Sequence, residues 1–449
     1  MKKQKHIYIF TILVCAGFAA FTQYAWLGMT FHGWGYPQNS FLFLPGDRYM
    51  DFFSINEMVA GMNPYAQGSS YPPFALLAAV LFARAIPGTG VIGRFEVRDQ
   101  EPLGYAFLVA MYAVCIAVSA ILFGCKLYKN LTKNKKNSVR ETEMGVLSFR
   151  QRCARFFSSP LLLQVLLPAV LFFAAFVFAA PTMYAFDRGN YIILCAFFLL
   201  LFAFFFEDHP VLSAVFLAVA ACLKIYPVAL FLVFFVGRKF KAMFAGLAVG
   251  GGLSLASGLL FQGPLMGNVR AFLQNLLNFT NGLLMTHYFY YQNAIGVRTI
   301  VATPILFMYN TIPESINIYR IGMVVSLLLL LWTVVICFLD RNAERQILYI
   351  TLFMILFPTP SFYYNLIFLM LPVFMILTRA ERRSYDFWVL GVLLLLLIPK
   401  NYKYLIFYFE IYPVQISVGH MIDAYMLLGL FIGVSVYALK ERSRMKRSV

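Results

Sequence analysis

The chain has 449 residues, of which 61% are hydrophobic and only 12% are charged. A soluble domain carries about 25% charged residues, so this composition excludes a water-soluble fold and predicts that membrane lipids surround the protein. The formal charge of +17 does not indicate a nucleic-acid partner, because the basic residues stand in short segments between apolar runs. Such a distribution indicates which segments face the cytoplasm in a membrane protein. Apolar runs long enough to cross a membrane recur along the chain, which predicts an all-α integral membrane protein.

The first apolar run, residues 7–27, follows three lysines and has no clear cleavage site after it. It predicts a retained transmembrane helix rather than a signal peptide. A second helix is predicted at 103–125, and the segment 126–158 behind it contains nine Lys or Arg, which places it in the cytoplasm. Residues 28–102 then form one large outer loop. Its stretch PPFALLAAVLFARAI is too short to cross and predicts an interfacial or re-entrant helix.

Ten further apolar runs bring the predicted total to about twelve helices, with both termini inside. These runs are 159–182, 191–206, 211–224, 226–236, 242–262, 319–339, 346–358, 363–378, 386–399 and 419–439. On this map 25 of the 36 Lys and Arg lie inside, as the positive-inside rule requires. The pair at 211–236 has a second interpretation, one long helix broken at Pro227. A second long outer loop is predicted at 263–318, and the chain forms a single polytopic unit.

Carboxylates and rigid turns share the first outer loop. Asp47, Asp51 and Glu57 are followed by the turns Asn63-Pro64-Tyr65 and Tyr71-Pro72-Pro73. A carboxylate beside such turns at a membrane surface can take a proton from a sugar hydroxyl. The alternative is that these acids only solvate a loop.

Two basic residues stand near the predicted outer ends of helices. Arg188, in the sequence MYAFDRGNYI, follows Asp187 at a tight turn and can contact phosphate oxygens in a bidentate manner. The alternative is that this pair caps the turn. Lys224 stands inside an apolar run just before Pro227, where an ionisable group is costly and suggests a lipid phosphate as partner. The alternative for Lys224 is snorkelling to the interface.

The second outer loop contains another polar cluster, THYFYYQNAIGVRTIV, with His287, Gln292, Asn293 and Arg298 among aromatic residues. Aromatic rings can stack on sugars and amides can bind hydroxyls, but aromatic residues also collect at membrane interfaces. For FYYN at 362–365 and for NYKYLIFYFEIYP, interfacial anchoring is the favoured interpretation. The sequence contains no His/Cys metal spacing and no phosphate-binding glycine loop, so we predict neither a metal site nor a cofactor.

The order of these motifs resembles the glycosyltransferases of family 87. The motifs are DFFSINEMVAGMNPY, YPPFALLAAVLFA, DRGNYI and LKIYPVALFLVFFVGRKFK, and the resemblance covers residues 45–240. It implies a GT-C fold in the plasma membrane, with an active site at the outer face and a polyprenyl-phosphate sugar such as mannose as donor. A lipid or glycan hydroxyl would be the acceptor of an inverting displacement.

The resemblance also implies roles for individual residues. Asp51 matches the catalytic base, with Asp47 as the second candidate, and Lys224 matches the outer-face lysine. Arg188 and Arg298 would join Lys224 in binding the donor phosphate. Candidates for binding the sugar or the acceptor are Tyr65, Tyr71, His287 and Asn293.

Two other functions stay open at this point. A lipid or solute transporter would carry ionisable groups at the middle of the membrane, whereas the charges here collect at helix ends. A lipid-linked oligosaccharide polymerase or ligase also works at the outer face, and an essential pair formed by His287 and Arg298 would favour it.

Overall fold

The computed structural model describes residues 49–85, 102–136, 169–285 without 171 and 174, 294–358 without 314, 361–379, 384–398, 400, 404–409 and 412–447. Four predictions lie outside these ranges: the first helix at 7–27, Asp47, and the residues His287 and Asn293. Most of the basic segment 126–158 lies outside them as well.

Helices make up most of the described chain. They are α1 (Met50–Ala60), α2 (Pro73–Ala85), α3 (Pro102–Lys136), α4 (Ala180–Asp187), α5 (Ile192–Phe205), α6 (Pro210–Leu223), the 3-10 helix Tyr226–Leu230, α7 (Phe231–Val236), α8 (Phe240–Gly258), α9 (Leu265–Met285), α10 (Val297–Tyr309), α11 (Ile318–Leu339), α12 (Ala343–Leu356), the 3-10 helix Tyr363–Leu369, α13 (Met370–Thr378), α14 (Ser384–Leu397) and α15 (Val418–Arg447). Among the described residues, four helices are long and apolar enough to span a membrane: Ala106–Asn130, Phe240–Gly258, Ile318–Leu339 and Val418–Arg444. Several shorter apolar helices accompany them, as expected for an α-helical membrane protein.

Three segments differ from their predictions. Helix α3 continues to Lys136 instead of ending near residue 125, because Lys126 and Lys129 find acidic partners beyond the apolar run. The segment 263–318, predicted to be a long outer loop, contains the helices α9 and α10. The NYKYLIFYFEIYP region forms two antiparallel strands, β1 (Tyr404–Phe409) and β2 (Tyr412–Ser417), so the fold is not purely helical.

A layer of ion pairs joins the ends of several helices. Lys126 Nζ lies 3.3 Å from Glu207 Oε2, and Lys129 Nζ lies 2.8 Å from Asp208 Oδ2. These contacts connect the basic end of α3 to the turn between α5 and α6. The side chain of Asn130 also donates to the carbonyl of Thr378, at the end of α13. Because α3 leads into the basic segment, this layer lies on the side that the sequence predicts to be cytoplasmic.

A second group of charges connects the remaining helix ends. Arg345 at the start of α12 binds Asp340 at the end of α11 through two nitrogens, at 2.6 and 2.8 Å, and also pairs with Glu441 of α15. Arg379, after α13, pairs with Glu344 and with Asp386 at the start of α14. These ion pairs hold the ends of five consecutive helices in one region.

The segment 211–236 is a hairpin of two parts. Helix α6 ends at Leu223, and the 3-10 helix and α7 return toward the start of α6. At the returning end, Lys239 donates to the carbonyl of Phe206 at 3.4 Å, and the Phe206 and Phe234 rings are 5.6 Å apart. The structure therefore favours two elements over one broken helix. It places Lys224 at the tip of the hairpin, at the end away from the contact between Lys239 and Phe206.

Candidate functional site

The start of α1 is joined to the turn that follows α4. The backbone N–H of Tyr49 donates to the carbonyl of Asp187 at 2.7 Å, and that of Asp51 donates to the carbonyl of Arg188 at 2.9 Å. The first N–H groups of a helix have no partner within it, so the turn satisfies donors that α1 leaves open. The start of the DFFSINEMVAGMNPY motif and the DRGN motif are thus held together through their backbones.

Gly189 permits this close approach. Its φ is +62°, a conformation that glycine adopts without strain. A Cβ atom at this position would lie 2.8 Å from the Cβ of Phe52 and 3.2 Å from the Cα of Tyr49. Glycine is therefore required by both backbone conformation and space.

The side chains of the turn bind the carboxylate of Asp51. Oδ1 accepts from Nη2 and Nε of Arg188 at 2.7 and 3.2 Å, and Oδ2 accepts from the amide nitrogen of Asn190 at 2.6 Å. The Asp51 and Arg188 side chains remain 17% and 14% exposed, so a substrate can reach them, whereas Asn190 is fully buried. Arg188, predicted to contact a phosphate, here contacts the predicted base.

Lys224 faces the same site from the tip of the α6 hairpin. Its ammonium lies 4.5 Å from the centroid of the Tyr71 ring and 5.7 Å from that of Tyr364. Cation–π contacts of this kind orient an ammonium group and stabilise it by about 0.5–2 kcal/mol. Asp51 also interacts electrostatically with Lys224. The structure thus brings together Asp51, Arg188, Tyr71 and Lys224, four of the residues predicted for the site.

The hydroxyl of Tyr71 is held in its neutral form. This residue lies in the loop between α1 and α2, where burial raises the pKa of the phenol well above its usual value and the charge of Asp51 raises it further. Arg188 opposes this rise. Because the hydroxyl stays protonated, Tyr71 can donate a hydrogen bond to a sugar or phosphate oxygen.

Sequence reasoning missed two members of this cluster. Asn190 lies in the DRGN motif, but we predicted no role for it. An amide directly after an Asp-Arg-Gly turn is a sequence feature that indicates a candidate hydrogen-bond donor to the site. Tyr364 belongs to FYYN, which we predicted to be an interfacial anchor. Its ring stacks on Tyr184 at 5.9 Å, next to Lys224.

An apolar groove with a volume of about 390 Å³ adjoins the cluster. Its walls come from the Pro72-Pro73 start of α2, the end of α6, the helix α8 and the amphipathic helix α9. Cys222 and Ile225, on either side of Lys224 in the chain, both line it. Tyr65 belongs to this wall, since its ring packs edge-on against Phe272. The groove therefore begins where the charged residues end.

The other predicted residues lie elsewhere. Arg298 is 2% exposed in α10, and its guanidinium lies 4.6 Å from the Tyr319 ring. Gly322 gives it room, since a Cβ there would lie 3.1 Å from Cγ of Arg298. These contacts direct Arg298 toward α11.

Glu57 is exposed on α1. Among the described residues, no group of three His, Cys, Asp or Glu side chains is placed to hold a metal ion.

Comparison with known proteins adds one finding. The model of glycosyltransferase family 87 matches residues 70–359, which is more than half of the chain. The matched region includes Tyr71, Arg188, Lys224 and Arg298, whereas Asp51 precedes it. No curated protein and no solved structure matches the chain.

Proposed function

The chain belongs to glycosyltransferase family 87 and is a membrane glycosyltransferase, and from this premise we propose that it transfers a mannose-like hexose from a polyprenyl-phosphate donor. The acceptor is a hydroxyl of a lipid or glycan, and the reaction takes place at the outer face of the plasma membrane. The observation that supports this proposal most directly is the joint placement of Asp51 and Lys224. The carboxylate and the ammonium interact electrostatically, and an apolar groove lined by the chain neighbours of Lys224 lies beside them.

Asp51 is the base in this proposal. Its carboxylate is partly exposed and is held by two neighbours, so its direction is fixed before the substrate arrives. General-base catalysis requires a group within hydrogen-bond reach of the proton that it takes. The side chains of Arg188 and Asn190 supply that orientation.

Lys224 binds the donor phosphate. A cation among apolar helices is stabilised when an anion accompanies it, and the Tyr71 and Tyr364 rings fix the position of the ammonium. As the sugar–phosphate bond breaks, negative charge grows on the leaving phosphate. A fixed positive charge in a site of low dielectric stabilises that charge more than it stabilises the bound donor.

The apolar groove holds the first isoprene units of the donor. Its volume of about 390 Å³ falls in the range of ligand pockets, and nearly all of its lining is apolar. Burial of a hydrocarbon chain there is favourable by about 25 cal/mol per Å² of apolar surface. Since Cys222 and Ile225 flank Lys224, a chain in the groove brings its phosphate to the ammonium.

The reaction is an inverting displacement. The acceptor hydroxyl loses its proton to Asp51, and its oxygen forms a bond to the anomeric carbon. The bond between that carbon and the phosphate oxygen breaks, and polyprenyl phosphate leaves with the electron pair. The step requires no metal or other cofactor in this proposal.

A purified, lipid-reconstituted protein assayed with a panel of polyprenyl-phosphate sugars tests the proposal. Asp51→Asn keeps the shape of the side chain but removes the base, so kcat should fall about 10²- to 10⁴-fold while donor binding stays near normal. Asp47→Asn should cost much less. The matched control is Asp208→Asn, which alters a carboxylate of the cytoplasmic ion-pair layer and should leave kcat unchanged.

Two results would contradict the proposal. If the wild-type protein uses none of the polyprenyl-phosphate sugars, the donor class is wrong. If Asp51→Asn and Asp47→Asn both turn over at the wild-type rate, catalysis by a first-loop carboxylate is wrong.

A further inference from the structure

The two oxygens of the Asp51 carboxylate have different surroundings. Oδ1 accepts two hydrogen bonds from Arg188, at 2.7 and 3.2 Å. Oδ2 accepts one described hydrogen bond, from Nδ2 of Asn190 at 2.6 Å. Each carboxylate oxygen has about two lone-pair sites, so Arg188 fills those of Oδ1 while Oδ2 keeps one for a further donor.

The amide of Asn190 is fixed in the orientation that this contact needs. Its own side-chain oxygen accepts from the backbone N–H of Ile192 at 3.0 Å. Rotating the amide by half a turn would set its oxygen against the Asp51 carboxylate and its NH2 group against the N–H of Ile192. Both contacts would then be repulsive. The two partners of the amide therefore fix its nitrogen toward Asp51 and its oxygen toward Ile192.

The backbone of Asn190 is equally constrained. Its N–H donates to the carbonyl of Ala185 at 2.9 Å, and its carbonyl accepts from the hydroxyl of Tyr112 at 2.9 Å. The residue is fully buried. A buried amide with backbone and side chain both bonded can serve as a rigid support for a partly exposed carboxylate.

On the basis of the proposed glycosyl transfer, we propose that Asn190 is a positioning residue for Asp51 and that the acceptor's proton goes to Oδ2. The acceptor hydroxyl donates to the remaining lone pair of Oδ2, and this O–H bond breaks as the new bond to the anomeric carbon forms. The proton stays on Oδ2, while the phosphate oxygen leaves with the electron pair of the broken glycosyl bond. Asn190 touches no substrate and acts only through the direction in which it holds Oδ2.

Asn190→Asp tests this role. The replacement keeps an oxygen for the N–H of Ile192 but turns the donor that faces Asp51 into an acceptor. A misdirected catalytic group can cost about 10²-fold in rate, so we expect kcat to fall about 10- to 100-fold, with the donor KM within about threefold of the wild-type value. Asn190→Ser replaces the amide by a hydroxyl one bond shorter and adds no charge. It should lose kcat in the same way, and it keeps the test valid if the carboxyl group of Asn190→Asp prevents folding.

A buried asparagine outside the cluster serves as the control. Asn56 lies on α1, is 2% exposed and has no hydrogen-bond partner for its side chain among the described residues. Asn56→Ser should leave kcat and KM unchanged. The fraction of protein that binds donor, measured with a radiolabelled polyprenyl-phosphate sugar, separates a loss of folded protein from a loss of rate.

The outcomes distinguish this inference from the proposed function. If Asp51→Asn is inactive while Asn190→Asp and Asn190→Ser keep the wild-type kcat, the positioning role is wrong and the function stands. A loss that appears only in KM, or only in the fraction that binds donor, also overturns the positioning role. Full activity of both Asp51→Asn and Asp47→Asn contradicts the proposed catalysis by a first-loop carboxylate, whatever the Asn190 variants do.

Discussion

Nη2 of Arg188 lies 2.7 Å from Oδ1 of Asp51, although the two residues are 137 positions apart in the chain. The sequence suggested that Arg188 contacts the donor phosphate, yet its described side-chain contact is with the candidate base. Arginine has five N–H donors, of which Asp51 accepts two. Support of the base and binding of the phosphate are thus two separate roles for Arg188, and kinetics can distinguish them.

Arg188→Lys keeps the positive charge but loses the two-nitrogen contact with Oδ1. If the main role of Arg188 is to hold Asp51, kcat should fall about tenfold or more while the donor KM changes little. If phosphate binding dominates, the donor KM should rise instead. Steady-state kinetics over a range of donor concentrations measures both, with Arg320→Lys at an exposed position of α11 as the control. A wild-type kcat in Arg188→Lys would contradict the supporting role.

Lys224→Met should weaken donor use more than folding. The replacement keeps an unbranched side chain of similar length but removes the ammonium and its cation–π contact with the Tyr71 ring, so the donor KM should rise about tenfold or more. Lys239→Met is the matched control, because the Lys239 ammonium lies 4.4 Å from the Phe206 ring at the other end of the same hairpin. It should leave the donor KM unchanged. Equal KM values for Lys224→Met and the wild-type protein would instead support simple snorkelling.

The sequence predicted much of the helical architecture. The run at 191–206 became α5 (Ile192–Phe205), and the run at 319–339 became α11 (Ile318–Leu339), within about a residue at each end. The bounds of such helices follow from the length of the apolar run, which can be read from the neighbouring residues in the sequence. The β-hairpin was missed because an aromatic, apolar stretch also suits a membrane interface, and pairing between Tyr404 and Ser417 has no local signal.

The site was predicted less completely, for a related reason. Asp51 and Lys224 were identifiable because each is an ionisable residue beside turns or within an apolar run. Tyr364 was not identifiable from the sequence. Its place in the site depends on its ring centroid lying 5.7 Å from the Lys224 ammonium, and Lys224 is 140 positions earlier in the chain. An aromatic residue near the end of a membrane helix has an ordinary interfacial explanation, and only tertiary contacts reveal another one.

The topology leads to a labelling prediction. The ion pairs of Lys126 and Lys129 place the end of α3 in the same layer as the turn after α5, so residue 135 should be cytoplasmic. A single cysteine at 135, in a variant without native cysteines, should react with an impermeant maleimide only after the cells are opened. A single cysteine at the exposed position 309, at the end of α10, should react in intact cells. Labelling at 135 in intact cells would contradict the map.

The last prediction concerns the buried ion pair between Asp340 and Arg345, whose side chains are 2% and 8% exposed. Removing one partner of such a pair leaves a buried charge without compensation, so Arg345→Met should lower the free energy of unfolding by about 3–5 kcal/mol. The double variant Asp340→Asn with Arg345→Met removes both charges and should be more stable than Arg345→Met alone.

The control is Lys129→Met, which breaks a more exposed pair, with side chains 53% and 32% exposed, and should cost about 1 kcal/mol or less. Denaturant titrations in one detergent give all three values. If Arg345→Met costs no more than Lys129→Met, then the end of α11 and the start of α12 are held by their apolar contacts, and the ion pair adds little to stability.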